Sequence, residues 1–393
     1  MRRALPGPLE PLREFLRTES ASGVLLVVAS GIAMVWANLS RSYEALWASP
    51  LPLHLSPIVL ELDARHWIND AAMALFFFVV GLEIKRELID GELRDRRQAM
   101  LPVIAAFGGM VAPALIYLVF NAGRPAARGW GIPMATDIAF AVGALALAAP
   151  RAPAGLKVFL LSIAIVDDIG AIVVIALFYS GGVGGQWLLL AALTLLVFVL
   201  CWRLPSPWRA IALVPCAVTA WFFVHKSGVH PTIAGALLGL LVPATAQTPD
   251  TPAERLAHVF HPWTSFVIVP LFALANAGIA LGSVFLPDAL AAPVVIGIVL
   301  GLVLGKFIGI GGTVLLLTRL GIAGSPGGAT RGELLGVAAL GGIGFTVSLF
   351  ITQLAFVDPA TEALAKLGVF TASVVAALLG VAILRLGPMR RRR

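Results

Sequence analysis

Long apolar runs separated by short polar connections make up almost the whole chain. Most runs approach the roughly 20 residues that a helix needs to cross a bilayer, and runs of this length disfavour a β-barrel, whose strands give only short alternating segments. We therefore predict a bundle of α-helices. The pattern places twelve spans, at residues 22–39, 67–84, 100–120, 132–149, 157–179, 187–202, 210–225, 231–242, 263–280, 292–317, 334–355 and 365–384.

The composition agrees with a bilayer as the solvent of this chain. Hydrophobic residues make up 59% of the 393 residues and charged residues only 12%, whereas soluble domains carry about 25% charged residues. The longest connection between predicted spans, residues 40–66, is too short for a separate soluble domain. The sequence therefore predicts one all-α membrane domain over residues 1–393.

The positions of Lys and Arg predict the orientation of the bundle. If the amino terminus is cytoplasmic, most of the 28 Lys and Arg residues fall on the cytoplasmic side, as the positive-inside rule requires. Residues 1–20 are too polar and acidic for a cleavable signal peptide, so we expect them to form a cytoplasmic segment. The basic tail at 385–393 is better explained as a determinant of membrane topology or as a contact for anionic lipid than as a site for nucleic acid. We therefore do not expect nucleic acid as a partner.

Charged residues inside the predicted spans are few. A charge at mid-membrane costs at least ~2.5 kcal/mol, so each one is a candidate functional residue. Asp70 and Glu83 lie nearer the two ends of the second span, where a structural role at the interface explains them as well as a functional one. Four charged residues lie deeper: Asp137, Asp167, Asp168 and Lys306.

Asp167 and Asp168 are the strongest candidates. Adjacent side chains on a helix point ~100° apart, so the two carboxylates need different partners. We assign Asp167 to Lys306, the one basic residue deep in a predicted span, and Asp168 to an open ligand position, although the sequence does not settle which aspartate meets the lysine. Three deep carboxylates against one ammonium leave excess acid.

A buried excess carboxylate predicts ion exchange. Desolvation favours its protonated form, so protons and a hard cation compete for the same oxygen atoms. Sodium would be bound by carboxylates, the Thr136 hydroxyl, backbone carbonyls and water, and potassium or calcium fits the same ligands. A protein that opens this site alternately to each side is an antiporter. The chain has no Gly-x-x-x-x-Gly-Lys-Ser/Thr motif for ATP, in agreement with this prediction.

Two predicted spans contain helix-breaking residues. Polar residues and a proline interrupt the fourth span at 133–137, and glycines interrupt the eleventh at 341–344. Three-helix units built around them, spans three to five and ten to twelve, have opposite orientations, as in inverted-repeat transporters. Asp137 could balance the helix dipoles at the first break and Lys306 those at the second. Close helix packing is the alternative explanation for the glycines.

Two other functions share some of these features. A sodium-coupled symporter also has buried acids and broken helices, but it needs a larger pocket for an organic substrate. An intramembrane hydrolase could use Asp137 and Asp168 as a catalytic pair. The usual Gly-x-Gly-Asp surroundings are missing, and Lys306 would disturb a proton shared between the two acids.

Ordered motifs across the chain carry a family resemblance. From about residue 20 to 386 the chain resembles the bacterial NhaA-type sodium/proton antiporters. The motifs are WIND (67–70), VGLEIKRE (80–87), ATDIAF (135–140), VDD (166–168), KSGVH (226–230), HPW (261–263), PLFALANAG (270–278) and GIGFT (342–346). The resemblance implies electrogenic export of sodium or lithium for more than one proton, by alternating access, in a bacterial inner membrane. It implies no cofactor and no enzymatic activity.

The resemblance also assigns site residues. Asp167 and Asp168 match the cation-binding carboxylates, Thr136 and Asp137 the unwound fourth helix, and Lys306 a compensating lysine. A cytoplasmic pH-sensing funnel would comprise Glu83, Arg86, Glu87, His230, Glu254, Arg255, His258 and His261. The acidic residue of that pattern is Ala257 here, so either Glu254 substitutes for it or the pH profile is shifted.

The connection at 40–66 contains a weak strand signal. Apolar residues alternate with other residues over 58–63. The resemblance implies that this periplasmic loop forms a β-hairpin through which two copies of the chain dimerise.

Overall fold

The computed structural model describes residues 10–55, 58–245, 251–280 and 286–386. Within these ranges almost every segment is helical, in agreement with the all-α prediction. The helices are α1 (Glu10–Leu39), α2 (Ser42–Trp47), α3 (Ala64–Trp67), α4 (Met73–Asp90), α5 (Arg96–Asn121), α6 (Ile138–Ala148), α7 (Ala154–Phe178), α8 (Gly185–Cys201), α9 (Trp208–Lys226), α10 (Thr232–Leu241), α11 (Pro252–Trp263), α12 (Val269–Asn276), α13 (Leu286–Ala291), α14 (Pro293–Leu300), α15 (Thr313–Arg319), α16 (Arg331–Leu340), α17 (Phe345–Ala355) and α18 (Pro359–Leu386).

The two predicted terminal segments lie partly within and partly outside the described residues. Helix α1 already begins at Glu10, so the second half of the expected segment 1–20 belongs to a helix, and residues 1–9 lie outside the described residues. Helix α18 ends at Leu386, and the rest of the predicted tail at 385–393 also lies outside them.

Many of these helices are long and apolar enough to cross a membrane. Within the described ranges, nine stretches meet this condition, or ten if one bent pair counts as a single span. The bent pair consists of a 3₁₀ segment, Pro125–Met134, and α6, at 46°. The nine are Ala21–Leu39, Ala64–Asp90, Arg96–Asn121, Ala154–Phe178, Trp208–Lys226, Pro252–Asn276, Pro293–Arg319, Arg331–Ala355 and Pro359–Leu386.

The two predicted helix breaks are present. Pro133, which has no backbone N–H, lies at the end of the 3₁₀ segment, and the chain is then extended up to Asp137, which begins α6. Residues 341–344 separate α16 from α17. Of the nine stretches, the one formed by α16 and α17 is the most buried, because 94% of the residues in its most apolar part lie inside the structure. The second break therefore lies at the centre of the bundle.

Further irregularities lie where the sequence predicts regular helix. π-helical turns occur at Ile68–Ala72, Thr264–Ile268, Gly301–Gly305 and Phe307–Gly312. Such turns occur often at functional sites, because the added residue changes the direction of the side chains. Two of these turns lie on either side of Lys306.

Glycines allow α4 and α10 to pack with their backbones in contact. A Cβ atom added to Gly235 or Gly239 would collide with carbonyl oxygens of α4, and one added to Gly81 would collide with a carbonyl oxygen of α10. Small residues at helix crossings permit this close packing in membranes. The packing holds α4, which carries Glu83 and Glu87, in a fixed position.

The connection between the first two spans contains the expected hairpin. Strand β1 (Leu53–Leu55) pairs antiparallel with β2 (Ile58–Leu60), with Leu53 opposite Leu60. The strand is shorter than the alternation at 58–63 predicts. Beyond Leu60 the pairing continues only as an isolated bridge between Pro50 and Asp63, and the Asp63 carboxylate then accepts the His66 N–H at 2.7 Å and begins α3.

Candidate functional site

The two helix breaks meet at Asp137. Its carboxylate accepts the Phe140 N–H at 3.1 Å, which caps α6, and also the Thr346 N–H at 3.0 Å and hydroxyl at 2.5 Å, in the first turn of α17. The Asp137 N–H donates to the carbonyl of Ile343 at 2.6 Å. One negative charge therefore faces the positive amino ends of two half-helices. At the second break, Asp137 and not Lys306 contacts the amino end of α17, and a role of Lys306 at the carboxyl end of α16 stays a prediction.

Thr136 joins the first break to the end of α16. Its hydroxyl lies 2.7 Å from an Asp167 carboxylate oxygen and 2.8 Å from the carbonyl oxygen of Gly341. A hydroxyl has one proton, so it can donate to only one of these two acceptors at a time. Thr136 therefore connects the aspartate on α7 to both interrupted spans.

Lys306 pairs with Asp167, as expected from the sequence. The ammonium nitrogen lies 2.5 Å from the same Asp167 oxygen that Thr136 contacts, and both side chains are completely buried. Glycines on the π-helical turns beside Lys306 touch α5, because Cβ atoms at Gly305 and Gly309 would collide with its backbone. The lysine is thus held close to its partner. The other Asp167 oxygen has no hydrogen-bond partner among the described residues.

Asp168 differs from its neighbour. It is only 4% exposed and lines a small cavity together with Glu83, Thr136, Asp137 and Thr346. In the part of the chain that the structure describes, its carboxylate makes no hydrogen bond or ion pair. It is therefore the buried carboxylate whose oxygen atoms are available to an ion in the cavity.

The cavity is suited to a small ion. Its volume is about 60 Å³, enough for a few water molecules at most. Hydroxyl groups that can bind a cation or its water lie on several of the segments around it. They belong to Ser22, Thr136, Thr264, Ser265 and Thr346. A monatomic cation fits this cavity, whereas the organic substrate of a symporter does not.

Some of the predicted pH-sensing residues lie near this cavity. Glu83 and His261 both line it, with 3.8 Å between the His261 ring nitrogen and the Glu83 carboxylate. Glu87 is buried one turn further along α4, where it accepts hydrogen bonds from the Ser162 hydroxyl and the Glu92 N–H, both at 3.0 Å. The sequence did not indicate Ser162, since a single serine in a helix carries no signal.

The other residues of that set take different positions. Arg86, Arg255 and His258 are exposed, and Glu254 forms a capping box with Thr251 at the start of α11. This cap begins the helix eleven residues before the predicted ninth span at 263–280, and the span ends at Asn276. Glu254 therefore has a structural role at this helix start.

His230 does not lie near the other residues of the predicted pH-sensing funnel. Its ring nitrogen lies 3.5 Å from the Asp70 carboxylate, and His225 lies 3.6 Å from the same group. Asp70 and Glu83 are thirteen residues apart along one span, which corresponds to ~20 Å. The structure therefore places His230 at the opposite end of the bundle from Glu83 and His261.

Comparisons with known proteins show the family of this chain. Residues 13–384 match the family model described as Na+/H+ antiporter 1. The chain is 50% identical to Na(+)/H(+) antiporter NhaA 2 of Novosphingobium aromaticivorans, over 94% of each chain. It is 47% identical to NhaA of Proteus mirabilis, over 95% of this chain and 96% of the relative, and 43% identical to NhaA 3 of Frankia alni, over 98% and 90%. This chain belongs to the NhaA family of Na+/H+ antiporters.

Proposed function

We propose that the chain exports sodium in exchange for protons, and that both compete for the Asp167 and Asp168 pair. The observation that carries this proposal is the contrast between the two carboxylates. Asp167 is paired with Lys306, whereas Asp168 faces a cavity of ionic size without a hydrogen-bond partner in the described chain. A buried unpaired carboxylate binds either a proton or a cation, because its bare charge is costly in this environment.

Alternating access requires a fixed site between two moving parts. We propose twelve spans, made of the nine long stretches, the bent pair and the two shorter apolar helices α8 and α10. Two inverted three-helix units around the broken spans would then hold Asp137 and Thr346 at their crossing. The contacts of Asp137 with both half-helices support this arrangement.

The number of titratable groups at the site supports a stoichiometry of more than one proton per cation. Two adjacent aspartates and one lysine can release more than one proton for each bound cation, so we propose electrogenic exchange. Lithium, which is also a small hard cation, is proposed as a second substrate. The curated relatives are named as Na+/H+ antiporters, and no cofactor is proposed.

We propose pH regulation through the cytoplasmic end of the cavity. Glu83 and His261 lie within 3.8 Å of each other there, and histidine changes its charge in the physiological pH range. Ala257 stands where the family has an acid, and Glu254 is occupied by its capping box. A shifted pH profile is therefore the better of the two explanations for Ala257.

The proposed setting is a bacterial inner membrane with both termini cytoplasmic. The hairpin is then periplasmic, and we propose that it joins two copies of the chain. Strand β2 of this two-stranded sheet can pair with a second copy at its free edge. If so, a cysteine introduced at Glu61 should form an intersubunit cross-link in membranes, and absence of this product at normal activity would contradict the dimer.

The antiporter is tested by sodium-induced loss of a pH gradient in everted vesicles. We expect sodium and lithium to release protons and potassium or choline to have no effect. Repeating the assay from about pH 6.5 to about pH 8.5 measures the pH profile, and charge movement on a supported membrane tests electrogenicity. A requirement for an organic solute would favour a symporter, and no response to sodium would refute the proposal.

A further inference from the structure

Three amide side chains form a layer on the far side of the cation cavity. Asn69 donates a hydrogen bond to Gln353 at 2.6 Å, and Asn276 donates one to Asn69 at 2.8 Å. They lie in three different spans, and Asn69 is in the π-helical turn Ile68–Ala72. We call these three residues the amide layer. Sequence analysis missed it, although two of its members lie in the WIND and PLFALANAG motifs.

The hydrogen bonds of the amide layer are incomplete. Asn276 is 0% exposed, yet its carbonyl oxygen has no hydrogen-bond partner in the described part of the chain, and neither has the amide nitrogen of Gln353. Buried polar groups are rarely left without a partner, because the cost of their desolvation is then not repaid. Amide oxygens are good ligands for hard cations and their water. The layer therefore offers an unused ligand to a cation.

The charges around the layer also favour a cation. Asp70 follows Asn69 and is buried, with His225 and His230 as its nearest titratable neighbours. Arg65 lies about one turn closer to the surface, where it pairs with Glu44 at 2.9 Å and donates to the carbonyl of Ala275. The arginine charge is thus matched by another acid. When the histidines are neutral, Asp70 leaves this region negative.

The amide layer lies about two helical turns beyond the cavity along two helices. In α17, Thr346 lines the cavity and Gln353 is in the layer; in α12, Val269 lines the cavity and Asn276 is in the layer. Each pair is seven residues apart, which corresponds to ~10 Å along a helix. Under the proposed orientation, the layer lies between the cavity and the periplasm.

A cluster of aromatic rings fills the space between the two sites. The ring centroid of Phe350 lies 5.5 Å from that of Phe77 and 6.1 Å from that of Phe272. None of the three is more than 2% exposed. The His230 ring packs edge-on against Phe350 at 5.1 Å. Phe350 lies between Thr346 and Gln353 on α17, and Phe272 lies between Val269 and Asn276 on α12, so these rings are between the cavity and the layer along both helices.

We propose that the amide layer, with Asp70 beside it, is a second cation site through which sodium passes on the periplasmic side when the aromatic rings separate. This proposal rests on the proposed sodium/proton exchange. The chemical class of the ligand is a partly hydrated monovalent cation, held by the amide oxygen of Asn276 and a nearby carboxylate. Asp168 remains the site of competition with protons.

The test compares sodium affinity at the two faces of the membrane. The KM for sodium is measured in everted vesicles, which present the cytoplasmic face, and in right-side-out vesicles, which present the periplasmic face. We expect Asn276→Leu to raise the periplasmic KM about threefold to tenfold, the effect of one lost polar ligand. The cytoplasmic KM should change less than about twofold.

Two further variants exclude a general loss of structure. Asn121→Leu is a matched control, because Asn121 is also fully buried with an amide oxygen that lacks a partner in the described chain, but it joins α5 to the start of α14. It should leave both KM values unchanged. Gln353→Glu keeps the oxygen that accepts from Asn69 and adds a negative charge, so it should lower the periplasmic KM.

Two results together would overturn the second site. One is that Asn276→Leu changes the KM for sodium equally at both faces or not at all. The other is that Gln353→Glu does not lower the periplasmic KM. A response of Asn121→Leu equal to that of Asn276→Leu would also refute it. Failure of the proposed exchange itself would be seen separately, because the native protein would then release no protons on addition of sodium at either face.

Discussion

Replacement of Asp168 by Asn is expected to abolish sodium-dependent proton release. The substitution preserves the size of a buried side chain and removes the charge that faces the cavity. Two unit charges 4 Å apart interact by about 4 kcal/mol at an effective dielectric constant of ~20. Loss of the carboxylate should therefore lower sodium affinity by about 1000-fold. The measurement is sodium-induced dissipation of a pH gradient in everted vesicles containing equal amounts of each protein.

Asp95→Asn is the matched control for this variant. Asp95 is exposed and caps α5 through a 2.9 Å hydrogen bond from the Arg97 N–H. Asn caps helices about as well as Asp, so this substitution should leave transport unchanged. If Asp168→Asn were as active as this control, the cation would have to bind elsewhere.

Lys306→Gln is expected to destabilise the protein by about 3–5 kcal/mol, because it leaves the Asp167 charge buried without its partner. Both members of this pair are completely buried. Addition of Asp167→Asn removes the unpaired charge, so the double variant should regain most of the lost stability. Thermal unfolding of purified protein in detergent measures the two single variants and the double variant in one cycle.

Lys85→Gln serves as the control for the loss of a lysine. Lys85 is only partly buried near the end of α4, so the change should affect stability by less than about 0.5 kcal/mol. Additive losses in the Asp167 and Lys306 double variant would show that the two side chains do not stabilise each other.

The helix breaks were predictable because their residues have backbone properties that can be read directly. Pro133 lacks an N–H, and consecutive glycines at 341–342 weaken a helix wherever they occur. The π-helical turns at 301–312 were not predictable, because glycines at this spacing also fit regular close packing. The start of α11 was predicted too late, since Thr251 and Glu254 cap a polar first turn that precedes the apolar run.

The same distinction applies to the candidate site. The pairing of Lys306 with an acid could be expected, because a lysine inside a membrane needs one, but the sequence did not settle which of the two adjacent aspartates it meets. The second role of Asp137 could not, because it depends on α17, whose first turn lies 209 residues later in the chain. His230 was misplaced for a related reason. The KSGVH motif fixes a position in the sequence and not the end of the bundle at which α10 begins.

The contact between Asp137 and Thr346 also bears on the biogenesis of the protein. The ribosome supplies the spans in order, so α6 reaches the membrane long before α17 has been made. Until then the polar backbone around Asp137 lacks the partners that it has in the finished bundle. Closing a loop of this length is slow compared with contacts between neighbouring helices. We therefore expect the centre of the transporter to assemble last, when nearly all of the chain has left the ribosome.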